Sequence, residues 1–232
     1  MLKELNKIAK DTNHYLLKYL QGQNNSELIM PMKYGLLPGG KKIRSKVLID
    51  VGRIFKINYK TLIQIGAAIE CIHAYSLIHD DLPCMDDDDL RRGKLSTHKK
   101  FGEATAVLAG NSLLTLAFEI LSNNNLKLNS DIKIKLINLI SKFSGHSGIA
   151  GGQFLDLNFE RKKIPLEKIL KMQLKKTAKL FIFCCVSPVL ISKKKNQINN
   201  FKKIGSDIGL LFQIVDDLID FKGSAKVAGK KT

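Results

Sequence analysis

Tryptophan is absent from the 232 residues, and aromatic residues make up only 7%. A surface that stacks nucleobases on aromatic rings is poorly served by that composition, and no nucleic-acid recognition motif occurs. Cysteine is sparse: Cys71, Cys84, Cys184 and Cys185 show no CxxC spacing. They read as reduced thiols, neither a disulfide framework nor a zinc site. No uninterrupted apolar run approaches the roughly 20 residues that span a bilayer, so stable membrane insertion is not expected. The first twenty residues lack the apolar stretch of a signal peptide and carry Glu4 and Asp11, so a cytoplasmic protein is expected. No internal repeat or low-complexity linker divides the chain, and residues 1–232 read as a single domain.

Acid is scarce too. Only 21 carboxylates face 38 lysines and arginines, a formal charge of +17. A polyanionic partner, nucleic acid or anionic membrane, is one reading. Composition is another: arginine occurs only at 44, 53, 91, 92 and 161, and lysine, asparagine and isoleucine share A+T-rich codons. A third is an anionic substrate. The placement of the acids favours the third. Nine lie in two short clusters, Asp80, Asp81 and Asp86–Asp89, then Asp216, Asp217 and Asp220. Packed carboxylates repel, so a basic protein that gathers its few acids is holding cations.

Apolar residues recur at helical spacing over 2–21, 44–57, 61–82, 103–122, 131–149, 166–191 and 197–222. Glycine and proline punctuate the ends. Pro38-Gly39-Gly40 precedes one helix, Pro83 follows another, Gly151-Gly152 separates two more, and Pro165 suits a first helical position. Pro188 predicts a break or kink within 166–191. The expectation is an all-α bundle of roughly eight helices.

In HDDLPCMDDDDLRRG, Asp80 and Asp81 end an apolar helix, and Pro83 forces the chain to bulge before Asp86. In FQIVDDLIDF, Asp216 and Asp220 lie four apart on one helix face. Oxygen-only donors of this kind suit Mg²⁺, which keeps waters and substrate phosphates among its ligands. Asp87, Asp88 and Asp89 read mostly as solvent and loop contacts. Gly39-Gly40-Lys41-Lys42-Ile43-Arg44 is a glycine loop entering a helix, an anion site through backbone N–H groups. Arg91 and Arg92 directly follow the first acids, and arginine binds phosphate bidentately. Acids for Mg²⁺ beside bases for phosphate describe a diphosphate site.

Here the sequence resembles the trans-isoprenyl diphosphate synthases, in particular the bacterial farnesyl diphosphate synthase (geranyltranstransferase) type. The resemblance is carried by LLPGGKKIRSKVL, AAIECIHAYSLIHDDLPCMDDDDLRRGKLSTHKKFGEATAVLAGN, GGQFLDL, KKTAKL and LFQIVDDLIDFKGSAKVAGKK, in the family's order. It implies an isoprenoid-synthase-type helical bundle and a Mg²⁺-dependent condensation of isopentenyl diphosphate with dimethylallyl or geranyl diphosphate. The product implied is (2E,6E)-farnesyl diphosphate. The resemblance makes Asp80, Asp86 and Asp216 metal ligands. Asp81 orients bound water, and Asp217 and Asp220 give support. Lys41, Arg44, His73 and Arg92 correspond to the isopentenyl diphosphate site. Arg91, Lys176 and Lys230 correspond to the allylic diphosphate site. Thr177 and Gln213 correspond to oxygens beside the developing cation, and Gln153 and Asp156 to the GQxxD element. A homodimer is implied as well. His79, His98 and His146 receive no role.

Product length follows from the helix that ends at Asp80. Tyr75 lies five residues back, about 7.5 Å along the axis. Its ring would floor the pocket, with small Ser76 beside it, and a short pocket fits C15. The sequence departs from the family at Asn111 and Ser224, where aspartate is usual, and the family's C-terminal helices are absent. Exposed apolar surface on the last helix is therefore expected. A geranylgeranyl (C20) synthase is one alternative function. A non-catalytic bundle serving a partner subunit is another, and terpene cyclisation is disfavoured by the second set of phosphate-binding bases.

Overall fold

The computed structural model describes residues 2–23, 26–37 and 39–222. They form eleven α-helices, a π-turn, a 3-10 turn and one two-stranded hairpin. The all-α expectation holds, and the described residues pack as two compact units. One unit holds the chain up to Lys46, Ile63–Asn123 and the end of the last helix from Ile219. The other holds Val47–Leu62 and Asn124–Leu218.

In the first unit, α1 (Leu2–Gln21) buries Ile8, Thr12, Leu16 and Leu20, one side chain per turn. Helix α2 (Ile29–Leu36) packs on α1, on the short α5 (Thr97–Phe101) and on α6 (Glu103–Ser122). Most of α4 (Tyr59–Asp80) lies in this unit, and it is apolar nearly all round, as a core helix must be. The hairpin pairs β1 (Leu90–Arg91) with β2 (Lys94–Leu95).

Tyr59–Asp80 and Glu103–Ser122 are both long and apolar enough to cross a bilayer by length and composition. In α4 that surface is used by the core, with 83% of the apolar window buried; in α6 the share is 44%.

The second unit takes in α3 (Ile43–Ile54) from Val47 onward. It then runs through α7 (Ser130–Ser144), α8 (Ile149–Phe159), α9 (Leu166–Gln173), a π-turn over Leu174–Ala178 and α10 (Lys179–Ile191). A 3-10 turn (Lys195–Gln197) leads into α11 (Ile198–Lys222). Helix α10 is the hub. Every residue from Leu180 to Val189 is buried, and the helix packs on α7 and the π-turn.

Three sequence expectations change here. Pro188 sits inside α10 without ending it, and the irregularity falls instead at 174–178. Gly151 and Gly152 lie within α8 rather than between helices. Pro165 is the N-cap of α9, with extended ψ, one residue before the first helical position. On α11 a run of apolar side chains is exposed. Leu211, Ile214, Val215, Leu218, Ile219 and Phe221 are all exposed, Phe221 to 89%.

Candidate active site

Helix α4 delivers Asp80 at its last position, and the chain then bulges around Pro83. The Asp86 N–H donates to the Asp80 carbonyl at 2.9 Å, so the bulge returns Asp86 to the helix end. Asp87 takes a positive φ of 51° in this turn, with its N–H on the Leu82 carbonyl at 3.1 Å. Asp81 is buried and engaged by Arg91, whose Nε lies 2.8 Å from Oδ1 and whose Nη2 also reaches that oxygen. Arg91 further pairs with Asp88 at 3.1 Å. Burial opposes the Arg91 charge, but the Asp81 hydrogen bond and the charges of Asp81, Asp88 and Asp80 outweigh it and raise its pKa.

The arginines are presented by the hairpin that sequence reading missed. Arg92 and Gly93 both have positive φ, 53° and 74°, as a two-residue primed turn demands. Gly93 directly after the arginine pair was the available signal. Arg92 leans on the glycine loop: a Cβ at Gly40 would lie 3.0 Å from its Nη1. Gly39 takes φ 68°. Lys41 is exposed, Lys42 turns inward, and Arg44 enters α3 half-buried.

Arg44, Arg92, Lys42 and Arg91 all act on His73. Burial, then the charges of Arg44, Arg92, Lys42 and Arg91, hold its imidazole well below the ordinary value of 6.5. The folded ring is therefore neutral where the unfolded chain would accept a proton near 6.5. His73 thus contributes stability that is full above about pH 6.5 and is lost as pH falls toward the folded value. The urea midpoint of the wild type should drop more between pH 7 and pH 5 than that of His73→Gln. Parallel profiles would show that His73 carries no such linkage.

Tyr75 is buried, its ring 5.7 Å from that of His79, and burial together with the Asp80 charge pushes its hydroxyl up to about 12. Ser76 is buried and donates to the His73 carbonyl at 3.0 Å. His79 is satisfied by the Val107 carbonyl at 3.1 Å. His98 is buried, with Nδ1 3.0 Å from Ser96 Oγ, and it clusters with Asp87 and Asp89, ligand atoms within 4.8 Å. Asp89 is paired with Lys99 at 2.9 Å.

The second unit arranges its own polar set around the π-turn. Lys176 Nζ is 2.5 Å from the Asp156 carboxylate on α8, with Gln153 buried one turn earlier. Thr177 Oγ1 donates to Gln213 Oε1 at 2.6 Å, and Gln213 Nε2 donates to Asp217 Oδ1 at 2.8 Å. Gln173 was not singled out from sequence, yet its Nε2 donates to the other Asp217 oxygen at 2.9 Å. Asp217 is thereby held between two amides, and Asp216 is half-buried beside it on α11. The Asp220 side chain and Lys230 lie outside the described residues. The π-turn puts one extra residue into the helix, a feature frequent at functional sites.

Residues 25–232 match the Polyprenyl synthetase family. The chain belongs to the polyprenyl synthetase family. It is 42% identical to the farnesyl diphosphate synthase of Bacillus subtilis over 202 residues, 86% of this chain and 68% of that protein. Among solved structures, it overlays the FPP/GFPP synthase of Zymomonas mobilis with a TM-score of 0.91 at 39% identity, covering 96% of this chain and 82% of the other. The geranyltransferase of Helicobacter pylori, solved with magnesium and isoprenyl diphosphate, gives 0.84 at 32% identity, covering 97% and 78%. Family membership makes this chain an enzyme of prenyl chain elongation, and the expected helical fold is that of its structural relatives.

Proposed function

We propose that this chain condenses isopentenyl diphosphate with dimethylallyl or geranyl diphosphate in the cytoplasm, giving (2E,6E)-farnesyl diphosphate and diphosphate. One observation carries the reading: the charges of three arginines, Arg44, Arg92 and Arg91, act on a neutral His73, while the chain directly beyond the same helix returns Asp86 to Asp80. That is a place for a diphosphate beside a place for its metal.

The residues fit Mg²⁺. Asp80 and Asp86 offer hard oxygen donors at the end of α4, and the family resemblance adds Asp216 to the proposed ligands. Bound there, Mg²⁺ would neutralise charge on the departing diphosphate. The chain's own residues do the rest. Arg91 and Lys176 bind the allylic diphosphate, and Lys230 joins them in the proposal. Asp81 anchors Arg91 beside any role in orienting water. Lys41, Arg44, His73 and Arg92 bind isopentenyl diphosphate. The allylic C–O bond breaks with its electron pair going to diphosphate, and Thr177 and Gln213 turn their oxygens toward the resulting cation. The isopentenyl π bond then forms the new C–C bond. A proton leaves to the released diphosphate, restoring a double bond. The apolar bundle excludes water that would quench the cation.

Purified protein with Mg²⁺ and both diphosphates should yield a C15 product by chromatography; no Mg²⁺-dependent product would overturn the proposal. Tyr75 is proposed as the pocket floor, with Ser76 beside it. Tyr75→Ala is expected to shift the main product to C20, and a variant still stopping at C15 would place the floor elsewhere. A homodimer belongs to the proposal, and α6 supports it by exposing Val107 and Leu108. The alternative function is a bundle that serves a partner subunit without catalysis. The same assay separates the two.

A further inference from the structure

We propose that Glu70 is a positioning residue for isopentenyl diphosphate, acting through Lys42 to hold the glycine loop and its bases in register. The inference rests on the function proposed above. Glu70 is a lone acid in an apolar stretch of α4, one turn before His73. Its carboxylate is buried. One oxygen accepts from Ser45 Oγ at 2.9 Å, and the other lies 3.5 Å from Lys42 Nζ, with both charged side chains only 3% exposed. Lys42 also donates to the Leu36 carbonyl at 3.0 Å. One ammonium thus ties together the end of α2, the glycine loop and α4.

Lys42 adopts φ 49°, a conformation that non-glycine residues seldom take. The pair holds it there, because an ammonium buried without a carboxylate is strongly unfavourable. The consequence falls on its neighbours. With Lys42 turned inward, Lys41 stays exposed and Arg44 is set at the start of α3. The loop backbone at Gly40 lies against the Arg92 guanidinium, so fixing the loop also fixes Arg92. Burial lowers the Arg92 pKa, and Glu70 is the largest influence opposing it. Glu70 is therefore the buried counter-charge around which the cradle assembles.

Removing the charge strands Lys42. The ammonium must then reach water, and the loop moves with it. In Glu70→Gln, KM for isopentenyl diphosphate should rise about tenfold, equivalent to about 1.4 kcal/mol. KM for geranyl diphosphate and kcat at saturation should stay within about twofold. The double variant Lys42→Met/Glu70→Gln leaves no stranded charge and should restore KM for isopentenyl diphosphate. Ser45→Ala, a smaller change that keeps the ion pair, should raise that KM about twofold to threefold and covers the case in which Glu70→Gln fails to fold. The proposal is overturned if Glu70→Gln lowers only the melting temperature, if both KM values move together, or if the double variant does not restore. If the wild type gives no condensation at all, the proposed function falls. Calorimetry with inorganic diphosphate then tests Glu70 independently: about tenfold weaker binding in Glu70→Gln supports its role, and unchanged binding overturns it.

Discussion

Asp80→Ala is expected to lower kcat by on the order of 10³-fold while leaving the circular dichroism spectrum and melting temperature close to those of the wild type. The fold should survive for local reasons. Asp80 is the last residue of α4, alanine is the best helix former, and the Asp80 backbone carbonyl still accepts the Asp86 N–H at 2.9 Å. Removing one carboxylate also relieves repulsion among the gathered acids. What is lost is a proposed ligand of the ion that neutralises the leaving diphosphate. Such charge stabilisation amounts to several kcal/mol, and each 1.36 kcal/mol is tenfold in rate. Asp87→Ala is the matched control. Asp87 is exposed in the same turn and is not among the proposed ligands, so its rate should stay within about threefold. An Asp80→Ala enzyme that keeps a tenth of the wild-type rate would remove Asp80 from the proposed metal site.

Much of the architecture was legible because periodicity reports burial. The patterns over 2–21, 103–122 and 197–222 match α1, α6 and α11 to within a residue. Failures came where one residue type was read without its neighbours. Pro188 lacks a donor, yet α10, buried along its length, continues through it to Ile191. Gly151-Gly152 looked like a boundary because glycine disfavours helices; in α8 the missing side chain is what permits close packing. Among candidate site residues, the acids and the arginine pair stand out by clustering, and the lysine–threonine pair by the family resemblance. Glu70 and Gln173 do not. Each acts through a partner from another segment, Lys42 and Asp217, and such pairing leaves no local spacing to read.

The π-turn is the least legible feature and carries the second large effect. It packs against two glycines. A Cβ at Gly152 of α8 would lie 2.3 Å from the Lys176 backbone nitrogen and 2.5 Å from its Cα; one at Gly209 of α11 would lie 2.4 Å from the Ala178 Cα. These are backbone atoms, which no rotamer change can move aside. Gly152→Ala must therefore push the π-turn away from α8. Overpacking of this kind costs about 1–3 kcal/mol, or a fall in melting temperature of roughly 3–10 °C for a chain of this size. Function should suffer more than stability. The same turn aims Lys176 at Asp156 and Thr177 at Gln213, and a misplacement of about 1 Å can cost 10²-fold in rate. The expected result is a folded enzyme with kcat reduced about 100-fold, whereas Gly22→Ala, whose Cβ would meet only ordinary contacts at 3.5 Å, should behave as wild type. A Gly152→Ala enzyme with unchanged rate and melting temperature would mean that the π-turn yields without cost and that its contact with α8 does not set the positions of Lys176 and Thr177.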